Sequence, residues 1–228
     1  MIGGAVRDAV VVVAGGSRPS ARALASLPDG ALVIGADRGA EFALAAGLAV
    51  EVAVGDFDSI SAAGLERLER SGARIERHPA EKEATDLELA LAEALSLGAR
   101  RILVIGAAGG RLDHLLGELS LLASDALAEV EVDAVLGRAT VNVVRGERVL
   151  AGRVGELVSL LPLHGPASGV TTEGLVYPLR GETLVPGSSR GVSNVFAAEE
   201  ARVSLERGVL LAVRPGRVSG SGGAGSAS

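Results

Sequence analysis

The stretch Val52-Ala53-Val54-Gly55-Asp56-Phe57-Asp58-Ser59 carries an apolar strand into a glycine and then releases two aspartates one residue apart. Side chains at i and i+2 share one face of a strand, and just past its end the chain can turn both toward one point. At the carboxyl edge of an α/β sheet, that point is where ligands bind. Two carboxylates held so close repel each other unless a cation or a proton sits between them. A divalent metal, most often Mg2+ where phosphates are the substrate, is the economical reading. An Asp-rich turn that caps the next helix is the alternative, and the pair alone does not choose between them.

Outward from this stretch, short apolar runs alternate with helical patterns. The runs are Ala9–Val13, Ala31–Ile34, Val50–Val54, Arg101–Ile105 and Val130–Val135, with helices expected near Pro19–Ser26, Gly39–Ala46, Ser61–Ser71, Thr85–Leu97 and Arg111–Ala123. Gly47, Gly72 and Gly98 stand where helices end. Strands alternating with helices predict a parallel sheet covered on both faces. After about Arg145 the helical period disappears, and short alternating runs separated by Gly, Pro and Ser take over. The expected fold class is therefore α/β. A parallel-sheet α/β domain spans residues 1–145, a small antiparallel β-sandwich-like domain spans 146–217, and a disordered Gly/Ser tail covers 218–228.

Composition limits the function. Of 228 residues, 48% are hydrophobic but only 2% aromatic, so the core must be built from Val, Leu, Ile and Ala, which suits a buried parallel sheet. The net charge of −6, with no basic block, argues against a nucleic-acid partner. No apolar run approaches the length of a membrane span, and the first residues lack the pattern of a signal peptide, so a cytoplasmic protein is expected. Without cysteine there is no thiolate nucleophile and no thiolate-bound zinc. Lys82 is the only lysine among 22 basic residues. Arginine cannot replace lysine where a point charge must fit between phosphate oxygens.

Glu81-Lys82-Glu83-Ala84-Thr85-Asp86 precedes an amphipathic helix whose Leu87, Ala90, Leu91, Ala94 and Leu95 form one stripe. Thr85 and Glu88 have capping-box spacing. A helix start favours anions, and Lys82 just upstream can reach the same anion, while Asp86 either caps the helix or faces a metal. Gly106-Ala107-Ala108-Gly109-Gly110-Arg111-Leu112-Asp113-His114 follows another strand and opens another helix, whose Leu112, Leu115, Leu116 and Leu119 are expected to bury one face. Arg111 can hold phosphate bidentately there. No GxxxxGK[ST] loop is present, which excludes an ordinary P-loop kinase. Gly15-Gly16-Ser17 and Gly35-Ala36-Asp37-Arg38-Gly39 supply two more turns at the same edge, with Asp37 either a ribose contact or a helix N-cap.

In order along the chain, Gly35–Ala40, Gly55–Ser59, Lys82–Asp86 and Gly109–His114 resemble the motifs of thiamine pyrophosphokinases, and the likeness continues through Gly174–Leu179 and Ser189–Asn194. That resemblance implies Mg2+-dependent transfer of a pyrophosphoryl group from ATP, the co-substrate, to the hydroxyl of thiamine, in a homodimer whose β-rich domain helps bind thiamine. It implies a metal site at Asp56, Asp58 and Asp86, and catalytic roles for these three with Arg111 and Asp113. Gly15, Asp37, Lys82, Thr85 and Arg111 would bind ATP; Tyr177, Ser193 and Asn194 would bind thiamine. The chain has no tryptophan, and Tyr177 stands where some relatives place one against the thiamine ring. Two other readings are a pyrophosphokinase for another alcohol, such as a hydroxymethyl pterin, and a non-catalytic nucleotide or thiamine-phosphate sensor.

Overall fold

The computed structural model describes residues 8–79, 81, 83–106 and 111–216. Lys82, residues 107–110 and the tail expected over 218–228 lie outside the described residues. Six strands pair in parallel: β1 (Ala9–Val13), β2 (Leu32–Ala36), β3 (Val52–Gly55), β4 (Arg74–Arg77), β5 (Arg101–Ile105) and β6 (Glu131–Leu136). Their spatial order is β4-β3-β2-β1-β5-β6. The order therefore reverses between β1 and β5, and a crevice opens at the carboxyl ends of strands at such a switch point. Successive residues of β1 serve opposite faces. Val10 and Val12 enter one core with Leu87, Ala90, Leu91 and Ala94, while Val11 and Val13 enter another with Ala40, Phe42, Ala43 and Leu68. A strand buried on both sides needs an unbroken apolar run, which is what β1 has.

The covering helices are α1 (Ala21–Ala25), α2 (Arg38–Ala45), α3 (Ala62–Arg70), α4 (Asp86–Ser96) and α5 (Leu112–Leu122). Gly47, Gly72 and Gly98 follow the ends of α2, α3 and α4 with φ of 81°, 82° and 80°, the left-handed backbone a helix terminator needs. Strand β4 was not anticipated. Only Ile75 of its four residues is apolar, because it is the sheet's edge, and charged side chains there discourage pairing with another chain.

Beyond β6 the sheet continues without a break but changes direction. β7 (Ala139–Val144) is antiparallel to β6, and β13 (Arg207–Arg214) and β9 (Leu157–Glu173) follow in the same sheet. β12 (Glu200–Ser204) and β8 (Glu147–Ala151) extend it, while β10 (Arg180–Leu184) and β11 (Asn194–Val195) pair with β9. β9 covers two runs that read separately in the sequence, 157–161 and 169–172. It passes His164 (φ 58°) with a register shift and keeps pairing, so what looked like turn punctuation is a bulge. Alternate residues of β13 join the two halves: Val209 and Leu211 belong to the core under α4, whereas Leu210 and Ala212 belong to the β-rich core around Phe196.

The two leucine-rich helices differ. α4 buries Leu87, Ala90, Leu91 and Ala94, and Leu95 partly, as its period predicts. α5 does not follow its prediction. Leu115 and Leu119 pack partly against the core and Leu122 is buried, but Leu112 and Leu116 remain 70% and 59% exposed. Positions 115, 119 and 122 line up at i, i+4 and i+7, so the inward direction of α5 is rotated away from 112 and 116.

Candidate active site

The carboxyl edge around β1 encloses a cavity of about 690 Å³. Gly15 and Gly16 at the end of β1, Asp37 after β2 and Ser59 beyond β3 form one side of its wall. The start of α4 (Thr85, Asp86), the face of α5 carrying Asp113, His114 and Glu118, and His164 of β9 complete it.

The acidic turn after β3 is held in an unusual backbone shape. Phe57 has φ 62°, a conformation a bulky residue adopts only when its surroundings demand it. Its ring is buried, and the Arg77 guanidinium stacks 5.2 Å from the ring centroid. Anchoring Phe57 inward leaves Asp56 and Asp58 on the other side of the turn, where the Asp58 N–H donates to Asp56 Oδ1 at 3.1 Å.

Asp37 joins them. Its N–H donates to the Val54 carbonyl at 2.8 Å, and Ser59 Oγ hydrogen-bonds Asp37 Oδ2. Gly55 permits this approach, since a Cβ there would meet Asp37 at 3.1 Å. Carboxylate oxygens of Asp37, Asp56 and Asp58 then lie within 4.8 Å of one another. Asp37 occupies the N-cap position of α2 but makes no capping hydrogen bond, so the capping role expected for it is not what the structure shows. It is 9% exposed, and its Oδ1 is buried without a hydrogen-bond partner among the described residues. The Asp58 carboxyl is held above its ordinary range, chiefly by the Asp56 charge, then by desolvation and by Asp37, with Asp86 contributing. Hard oxygen donors this crowded, one of them buried and unpartnered, suit a cation such as Mg2+.

Across the cavity, Thr85 caps α4 through an Oγ1 that accepts the Glu88 N–H at 3.2 Å, as its spacing predicts. Asp86 lines the cavity beside it. Arg111 grips Asp113 in a forked contact, Nη2 to Oδ2 at 2.5 Å and Nε to Oδ1 at 3.2 Å. That hydrogen bonding pulls the Asp113 carboxyl down to about 2, against a smaller opposing desolvation. Both side chains are exposed at the start of α5.

Tyr177, Ser193 and Asn194 meet elsewhere, around a second cavity of about 400 Å³ that Arg190 also lines. Asn194 is buried and fully engaged with backbone. Its Oδ1 accepts the N–H groups of Tyr177 and Val195 at 3.1 and 2.8 Å, and its Nδ2 donates to the Tyr177 carbonyl at 2.7 Å. It fixes the Tyr177 segment and leaves the half-exposed phenol to meet a ligand. No described residue lines both cavities.

Sequence reading missed Glu118 and His164. The imidazole Nε2 of His164 donates to the Ser120 carbonyl at 2.9 Å and ties β9 to α5. Glu118 lies between Leu115 and Leu119 on the partly buried side of α5, and a carboxylate embedded in an apolar stripe was the available signal.

The fold and this site define an α/β protein with an acidic crevice at the switch point of its sheet, joined to an antiparallel β unit. The family model described as thiamin pyrophosphokinase, catalytic domain, matches residues 25–132, and that described as thiamin pyrophosphokinase, vitamin B1 binding domain, matches residues 140–210. The thiamine pyrophosphokinase of Bacillus subtilis is 30% identical over 206 residues, covering 89% of this chain and 96% of that protein. Its crystal structure superposes with a TM-score of 0.82 at 26% identity over 92% of this chain and all of that one. The thiamin pyrophosphokinase structure from Geobacillus thermodenitrificans gives 0.79 at 30% identity over 92% and 99%. The chain belongs to the thiamine pyrophosphokinase family. The comparisons do not favour a pterin enzyme or a sensor.

Proposed function

We propose that this protein transfers the pyrophosphoryl group of ATP to the hydroxyl of thiamine, giving thiamine diphosphate and AMP. The observation that carries the proposal is the meeting of Asp37 with Asp56 and Asp58, with Asp37 lining a cavity whose wall also holds Thr85 and Asp86, in a chain of this family. The thiamine hydroxyl oxygen attacks the β-phosphorus. The bond from that phosphorus to the oxygen bridging it to the α-phosphorus breaks, and its electron pair leaves with AMP. The hydroxyl proton passes to a carboxylate at this edge. Asp56, Asp58 and Asp86 would hold Mg2+, with Asp37 at hand, and the ion would offset charge on the phosphate oxygens. Gly15 lets the backbone approach the nucleotide, Thr85 presents the start of α4 to an anion, and Arg111 with Asp113 stands where α5 meets the phosphates. Lys82 is assigned to the same polyphosphate from its sequence position alone.

Thiamine is cationic, and the Tyr177 ring offers it a face, with Ser193 beside it and Asn194 holding the segment in place. Because the two cavities share no lining residue, the acceptor is best presented to a phosphate site by a second subunit, which supports a homodimer. No described helix is long and apolar enough to cross a membrane, and a net charge of −6 argues against a nucleic-acid partner; a cytoplasmic enzyme is part of the proposal. Incubation with MgATP and thiamine should give AMP and thiamine diphosphate in equal amounts. ADP with thiamine monophosphate would overturn the proposal.

A further inference from the structure

Glu118 is a side chain of the large cavity that the proposed reaction does not use. Glu118 lines the wall on α5 beyond Asp113 and His114, near Leu121, Ser124 and His164. Its Oε2 is buried and has no hydrogen-bond partner among the described residues. A carboxyl placed against a helix's apolar side and given no partner is costly unless something else completes its hydrogen bonding. A cavity of this size uses such wall groups to orient a ligand.

The cavity wall holds Asp37, which meets Asp56 and Asp58, and the start of α4, a set suited to a metal and phosphates. Glu118 lies about one and a half helical turns along α5 from Asp113, where the non-phosphate part of a substrate would extend. Burial pushes the Glu118 carboxyl up to about 7, with no ion pair opposing it. The other titratable groups on the cavity wall are Asp37, Asp86, Glu88, Asp113, His114 and His164, and the burial of Glu118 is the sole cause of its shift. A neutral carboxylic acid offers one donor and one acceptor side by side. That pair complements an amino group beside an unprotonated ring nitrogen. Adenine presents such an edge, and so does the aminopyrimidine ring of thiamine.

We infer that Glu118 is a substrate-recognition residue that reads the amino-substituted edge of a nitrogen heterocycle in the large cavity. This deepens the pyrophosphokinase reading and rests on it for the identity of the two candidate ligands.

The test compares steady-state kinetics of wild type, Glu118→Gln and Glu118→Met with MgATP and thiamine varied separately. An amide also offers a donor beside an acceptor, whereas Met has the shape without either. Glu118→Met should raise one KM by about tenfold or more, leave the other within about twofold and leave kcat nearly unchanged. Glu118→Gln should restore most of the loss, which a merely structural role would not predict. A rise for ATP identifies adenine as the ligand; a rise for thiamine identifies the aminopyrimidine. Unchanged KM values in Glu118→Met, or a Gln variant no better than Met, would overturn the inference. Should Glu118→Met fail to fold, Glu118→Asp withdraws the reach by one methylene and is expected to raise the same KM. If the wild type forms no thiamine diphosphate, the catalytic reading fails by itself. Calorimetric Kd values for MgATP and for thiamine then decide Glu118 by the same pattern.

Discussion

Helices α4 and α5 each have eleven residues and form facing parts of one cavity, yet the chain treats them differently. α4 is capped by Thr85 at its start and turns its apolar stripe into the core, with Leu95 partly buried at its far end. α5 has no side-chain cap at its start and is secured at its other end, where Arg145 Nη2 donates to the carbonyls of Ala123 and Ser124 at 2.6 and 2.8 Å. It leaves Leu112 and Leu116 in solvent and holds Glu118 half-buried. The α4 wall is built as scaffold for the acidic site. The α5 wall carries Glu118, whose Oε2 is buried without a hydrogen-bond partner among the described residues. Equal periodicity in two helices thus fixes an apolar stripe in each, but not which part of the stripe the fold covers.

The largest expected effect lies on the acidic side that faces the start of α4. Asp56→Asn and Asp58→Asn should each lower kcat/KM by at least about a hundredfold while thermal unfolding changes little, because each removes charge from a cluster whose members repel one another. Wild-type turnover in both variants would remove the turn from the site. Next comes packing. Leu91→Ala in α4 should cost about 2–5 kcal/mol in chemical denaturation, whereas Leu116→Ser in α5 should stay within about 0.5 kcal/mol. A comparable loss at Leu116 would show that its face is covered and break the contrast. Thr85→Ala should cost about 1 kcal/mol through the lost cap, read from the same denaturation curves.

The smallest effect sharpens the contrast through pH. An ordinary glutamate titrates at 4.5, and folded Glu118 at about 7. Between those values the folded state binds the extra proton, so the contribution of Glu118 to stability falls as pH rises through this window. Glu118→Gln should therefore match wild type in Tm near pH 4 and exceed it slightly at pH 8. A gain of the same size at both would mean that the carboxyl does not titrate differently on folding.

Much of this could be read in the residues. β1 and β5 have the ends their apolar runs predict, because strands covered on both faces leave an uninterrupted signature. Arg74-Ile75-Glu76-Arg77 concealed β4, since an edge strand is recognised by its neighbour's hydrogen bonds and not by its own composition. Pro162, Gly165 and Gly169 made one seventeen-residue strand look like two. Asp56 and Asp58 were legible as a pair. The meeting of Asp37 with them was not, because it depends on the positive φ of Phe57 and on Gly55 admitting a neighbouring strand's loop. Asp37 before a helix has the local pattern of a cap, and only the fold shows its side chain turned to Ser59. Asn194 entered the sequence reading through the family resemblance, as a thiamine contact, and not as the clamp on the Tyr177 segment's backbone.

In the proposed reaction the acidic edge supports transfer of two phosphoryl groups together, from the β-phosphorus outward. Position-labelled ATP tests it most directly. With label in the α-, β- or γ-phosphate and thiamine as acceptor, the α label should appear only in AMP, and the β and γ labels together in thiamine diphosphate. Appearance of the β label in ADP, with γ label alone on the thiamine product, would contradict the account.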